Sequence, residues 1–181
     1  MGKLPPKSFV HEMNTTIMPV RGRFLSNKEA NESAHNFALQ ADQFFPATGC
    51  LSKELPGLSW PFYHNAYFTL ELCLKSYLLA QGVKYDDVRG IRHDLHKALN
   101  KAKQLGLRLG VSTLVEKVVM DASQYYEDHE FRYCANGKWE LPSPEVLFSF
   151  LQVAYRATTG NSPRLPAHVR SSALVTELHA K

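Results

Sequence analysis

Apolar residues recur at helical spacing in five stretches of the chain, and they alternate with period two nowhere over a useful length. The first stretch opens at Ser26 with Glu29 three residues on, a capping box, and continues through Ala30, Ala34, Phe37, Ala38, Ala41, Phe44 and Phe45. Pro46 and Gly49 are expected to end that helix and to open a loop over 46–59. Pro61 suits the first turn of a second helix reaching Ala80, with Gly82 as its cap. This segment is apolar almost all round (Phe62, Ala66, Phe68, Leu70, Leu72, Leu74, Tyr77, Leu78), the signature of a helix at the centre of a bundle.

Residues 83–93 read as a linker to a third helix, Asp94 to Leu105, whose apolar face is Leu95, Ala98, Leu99 and Ala102. The fourth helix carries Val111, Leu114, Val115, Val118, Val119, Ala122, Tyr125 and Tyr126 and is expected to run unbroken to about His129. The segment Phe131 to Pro142 reads as a loop turning at Asn136-Gly137. Ser143 then caps a fifth helix with Pro144 at its first position and Val146, Leu147, Phe150, Leu151 and Ala154 on one face. Pro5, Pro6 and Pro19 make 1–25 an arm, 26–158 the helical domain and 159–181 a tail. The expected fold is all-α: an antiparallel up-and-down bundle of about five helices.

Composition changes this picture little. At 44% apolar and 21% charged residues, 181 residues suffice for one domain with a sizeable core. The most hydrophobic stretch, Trp60 to Gly82, contains His64, Asn65, Glu71 and Lys75, so no membrane span is expected. With no apolar run of leader length near the start, the expected location is cytoplasmic. Cys50, Cys73 and Cys134 form no CxxC pair, and Cys73 reads as a small core residue.

Charge is more informative in its placement. Lys84, Arg89, Arg92, Lys97, Lys101, Lys103 and Arg108 face only Asp86, Asp87 and Asp94 between positions 84 and 108, a net of +4 that equals the formal charge of the whole chain. Such a patch suits an anionic partner, and its plainer reading is a solvated helix face.

Three segments resemble the HEPN family. Glu71-Leu72-Cys73-Leu74-Lys75 is similar to the family's ELxLK stretch, and His93-Asp94-Leu95-His96-Lys97-Ala98-Leu99 looks like its HDLxxL helix start. Tyr126 to Tyr133, ending Phe131-Arg132-Tyr133, resembles an RYP-like element with Cys134 in place of the proline. The resemblance spans roughly 28–158. It implies a helical bundle, often a homodimer, that binds RNA or a nucleotide. In some members it implies a metal-independent endoribonuclease of toxin–antitoxin or defence systems, in others a non-catalytic module that dimerises or docks a protein partner. Active members carry an arginine and a histidine with four to six residues between them at a dimer cleft. Arg89 and His96, with six residues between them, meet that spacing. Gly90 stands where the family has a polar residue, and the pair lies at the third helix rather than late in the bundle.

Metal-free RNA cleavage needs a base for the 2′-OH proton and a cation for charge on the phosphorane. His96 is the candidate base and Arg89 its catalytic partner. Arg92, His93, Lys75, Lys97, Lys101 and Arg132 are the candidate phosphate ligands. The plainer reading makes Asp94 a helix cap and both histidines surface or interface residues. Glu71 and Lys75, one turn apart on a buried helix, read as a structural ion pair, or as Glu71 meeting an arginine such as Arg132 and Lys75 a carboxylate. His93-Asp94 is also the dipeptide of HD phosphohydrolases, with His64, His96, Asp128 and His129 as further ligands, but the HEPN resemblance accounts for it without a metal. No metal or other cofactor is expected. Tyr125 and Tyr126 read as core and cap residues, and Trp139 beside Lys138 as a candidate stacking residue.

Overall fold

The structure, a computed structural model, describes residues 27–54, 59–133 and 139–159. Ser26 and the side chain of Glu29, the Asn136-Gly137 turn, Cys134, Lys138, the arm 1–25 and the tail from Gly160 lie outside them. Among the described residues the regular structure is all helical, in eight segments: α1 (Asn27–Glu54), α2 (Trp60–Ala80), α3 (Tyr85–Ile91), α4 (Leu95–Gln104), α5 (Thr113–Asp121), α6 (Ser123–Glu127), α7 (Glu130–Tyr133) and α8 (Pro144–Thr159). None of these helices is long and apolar enough to cross a membrane.

The all-round apolar second helix is the centre of the fold, as expected. Every residue of α2 from Thr69 to Leu79 is buried. α1 lies along it most extensively, and α8, α4 and α7 cover further faces. At roughly 1.5–3 kcal/mol for each fully buried large apolar side chain, residues such as Phe62, Leu70, Leu74 and Leu78 make α2 the main source of burial energy. Three α2 phenols donate hydrogen bonds to carbonyls elsewhere: Tyr63 to Pro142 (2.7 Å), Tyr67 to Val119 (2.9 Å) and Tyr77 to Leu105 (3.2 Å).

Both ends of α2 follow the sequence signals. Ser59 caps the start, and Gly82 (φ +82) follows the last turn, with Gly82 N–H bonded to Leu79 O and Val83 N–H to Leu78 O, a Schellman closure. Asp94 caps α4 through the N–H of Lys97 (2.7 Å), and Ser143 caps α8.

Three expectations need correction. Pro46 does not end the first helix, which continues to Glu54. Interior proline costs about 3 kcal/mol, but here α8 provides compensating burial. Phe45 stacks on Tyr155 (4.3 Å) and Phe148 (5.6 Å), and buried Thr48 bonds its hydroxyl back to Phe44 O. Gly49 lets Phe148 approach, since a Cβ there would lie 3.1 Å from the ring.

Residues 83–93 are no plain linker, because they contain α3. It is short, with only Val88 and Ile91 turned inward, too little to register as a period. Finally, the fourth helix is broken at Ala122 and again at Asp128-His129, and Glu130–Tyr133 is helical where a loop was expected. The apolar stripe read from 111 to 126 does not all face inward: Leu114 and Val118 are exposed. The two bends instead let Val119, Met120, Ala122, Tyr126 and Phe131 all reach the core.

Candidate functional site

His64, Glu71 and Lys75 sit seven and four residues apart on α2, which places them along one side of the helix. Glu71 is the hub. Its Oε1 accepts from Lys75 Nζ at 2.5 Å, and its Oε2 accepts from the Tyr126 hydroxyl at 2.6 Å and meets His93 Nδ1 at 2.9 Å. Burial pushes the Glu71 carboxyl upward, but the bonds from Lys75, Tyr126 and His93 outweigh it and hold the group below its ordinary range. Glu71 is therefore an anion that can only accept, so Nδ1 of His93 is the donor and Nε2 is the ring's free nitrogen. The His93 side chain is 38% exposed, against 6% for Glu71.

Two unusual backbone positions aim the histidines. Arg92, between α3 and α4, has φ 56 and ψ −120, the glycine-favoured first corner of a type II′ turn, closed by Asp94 N–H to Ile91 O at 3.2 Å. His129, between α6 and α7, has φ 62. Non-glycine residues in such regions cost on the order of 1–3 kcal/mol and concentrate at sites of function. The turns bring His93 and His129 into edge-on contact, ring centroids 5.1 Å apart. Tyr126 lies between His93 (5.8 Å) and His64 (5.7 Å). The result is a chain of three imidazoles around one buried carboxylate.

Arg132, exposed on α7, adds positive charge. Burial lowers the pKa of His64, and the charge of Arg132 and of His129 lowers it further. Burial and the adjacent Glu71 charge push the Tyr126 phenol well above its ordinary value, so it stays a donor.

The sequence-predicted residues divide cleanly. Glu71, Lys75 and His93 are brought together, and Arg132 is an electrostatic neighbour of the cluster rather than the partner of Glu71. Lys75 is buried with its ammonium bonded to Glu71, which favours the structural ion pair over a phosphate ligand. Arg89 on α3 and His96 on α4 are both exposed, and among the described residues no hydrogen bond, ion pair or ring contact joins them. Arg92 and Lys97 are exposed and Lys101 half-buried, as suits a solvated basic surface, while Lys103 is paired with Glu116.

Tyr126 and His129 were not foreseen in these roles. His64 and His129 entered only as metal ligands, yet among the described residues no group of three His, Cys, Asp or Glu could hold a metal ion. The seven-residue spacing of His64 and Glu71 was the available signal for the first. Nothing in the sequence marks the bend that delivers His129. Trp139 packs against Trp60 (4.0 Å) and Tyr125 (5.8 Å) at the edge of the core. Compared with known protein families, with curated proteins and with solved structures, the chain matches none of them.

Proposed function

We propose that this chain is a HEPN-like antiparallel helical bundle that binds the phosphates of RNA or a nucleotide at the His93–His129–Arg132 surface and cleaves RNA there without a metal. One observation carries the reading. The three segments that resemble the family, far apart in sequence, meet at a single carboxylate: Glu71 and Lys75 from the first, His93 from the second and Tyr126 from the third.

The chemistry follows from that convergence. Glu71 holds Nδ1 of His93 and leaves Nε2 as the nitrogen that faces a substrate. His93 takes the 2′-OH proton, the 2′-oxygen attacks phosphorus, and the 5′-oxygen leaves with a proton from His129. The products are a 2′,3′-cyclic phosphate and a 5′-hydroxyl end. Arg132 and Arg92 stabilise the charge on the phosphorane oxygens. This places the base at His93 instead of His96.

Labelled RNA incubated with pure protein in EDTA tests the reading. Cleavage should survive chelation, disappear in His93→Ala and persist in His96→Ala. RNA binding should weaken steeply with salt. Loss of activity in His96→Ala alone would return the site to Arg89 and His96, and absence of both binding and cleavage would end the proposal.

A second reading, a non-catalytic module that dimerises or docks a partner in a defence or toxin–antitoxin setting, is favoured by a different observation. Leu114 (69% exposed) and Val118 (41% exposed) are four residues apart on α5, one turn along its outer side. Under this reading the protein self-associates at micromolar concentration and Leu114→Glu makes it monomeric, as sedimentation would report.

A further inference from the structure

The charges around Glu71 do not balance once an imidazole is protonated. From α2 the cluster receives Glu71, Lys75 and His64. His93 comes from the α3–α4 turn, Tyr126 from α6, and His129 and Arg132 from the α6–α7 bend and α7. Lys75 already neutralises Glu71, since the two are in direct contact at 2.5 Å. Tyr126 stays uncharged. Among the described residues, no further carboxylate is bonded to the three imidazoles or to the Arg132 guanidinium. The acidic groups closest in sequence are Asp94, whose carboxylate accepts from the N–H of Lys97, and Glu127, Asp128 and Glu130, none of which is hydrogen-bonded to the cluster among the described residues. A proton added to His64 therefore adds positive charge beside the positive charge of Arg132. His64 shows the effect, being held below its ordinary range by its burial and by Arg132 and His129.

An anion seated among these rings reverses the sign. It supplies the missing negative charge, so the imidazoles charge more readily when it is bound. By linkage, the protonated site must bind the anion more tightly, by the same factor. We propose that the site binds phosphodiester anions with uptake of protons onto its histidines, so that its affinity rises as the pH falls through the neutral range. This rests on the proposed phosphate site and adds its regulation: the cluster is a coincidence detector for phosphate and acid. Lysines alone cannot imitate it, because a lysine side chain does not ordinarily change charge in that range.

The test uses a 2′-O-methyl oligouridylate, which cannot be cleaved and whose diesters and bases do not titrate near neutrality. Calorimetric titration of the full chain in two buffers of different ionisation heat, at about pH 7, counts the protons exchanged. The expected result is a net uptake, with affinity falling about tenfold or more between roughly pH 6 and pH 8. A His64→Gln variant, checked for a native unfolding transition, should keep binding at the alkaline end and lose part of the proton uptake and of the pH dependence. Binding with no proton uptake and a flat pH profile overturns the inference while leaving the phosphate site standing. Absence of binding at every pH overturns both.

Discussion

Two carboxylates in this protein, one half-buried and one buried, each accept a hydrogen bond from a tyrosine, and their surroundings drive them in opposite directions. Asp42 on α1 is bonded by Tyr155 of α8 beside the stacked rings of Phe45 and Phe148. Burial dominates there, and neither the Tyr155 hydroxyl nor the charge of His35 offsets it, so the Asp42 carboxyl is raised. Glu71 is the more deeply buried of the two but has three donors, one of them a lysine, and is lowered. What separates a packing detail from a charged centre is thus the number of donors converging on the oxygens, and only the second pair is also in contact with a partly exposed histidine.

That contrast can be broken most directly by truncation. Glu71→Ala leaves Lys75 buried without its counter-charge and should cost about 3–5 kcal/mol. Asp42→Ala, at a half-buried site with no cationic bond, should cost about 1 kcal/mol. Urea unfolding of both variants measures this, and equal losses would erase the distinction. The phenols sharpen it at a smaller scale. Tyr126→Phe removes a bond to a buried anion, worth about 1.5–3 kcal/mol, whereas Tyr155→Phe should cost about 1 kcal/mol.

The acid limb of stability is the gentlest probe. The folded Glu71 carboxyl has the lower pKa, so its contribution is complete above the unfolded value and is lost as the pH falls through the folded one. Asp42 has the opposite sign: its raised group takes up a proton first in the fold, which favours the fold as the pH falls. Glu71→Gln should therefore flatten the decline in melting temperature below about pH 5, and Asp42→Asn should steepen it. His64, lowered in the fold, adds a decline of its own as the pH drops through the ordinary histidine range.

The sequence was most legible where local rules and burial agree. The α2 segment announced its centrality by lacking a polar face, and Asp94, Ser143 and Gly82 marked helix ends where hydrogen-bonding or left-handed geometry is locally encoded. Pro46 misled because its local cost is overridden by α8 rings about a hundred residues away, which no local pattern contains. The bend at His129 was invisible for a related reason: Leu114 and Val118 extend an apolar stripe whose inward half alone is used. Of the site, Glu71, Lys75 and His93 were readable from motif likeness, but the motif does not say which of His93 and His96 the Glu71 oxygen reaches, since that depends on the turn at Arg92. Tyr126 was seen as a core residue, and its bond to Glu71 could not be inferred without the break at Ala122.

The three phenols of α2 have a mechanical consequence. Tyr63, Tyr67 and Tyr77 each tie the central helix to a different neighbour, ahead of α8, in α5 and at the end of α4. A slip of one residue would turn the helix by about 100° and detach all three at once, so no partial adjustment is stable. The helix acts as a keyed shaft, fixed in rotation as well as in position. Opening α4 or α8 loosens the key that orients Glu71, and the amides around the carboxylate should exchange with those of the core as a single unit.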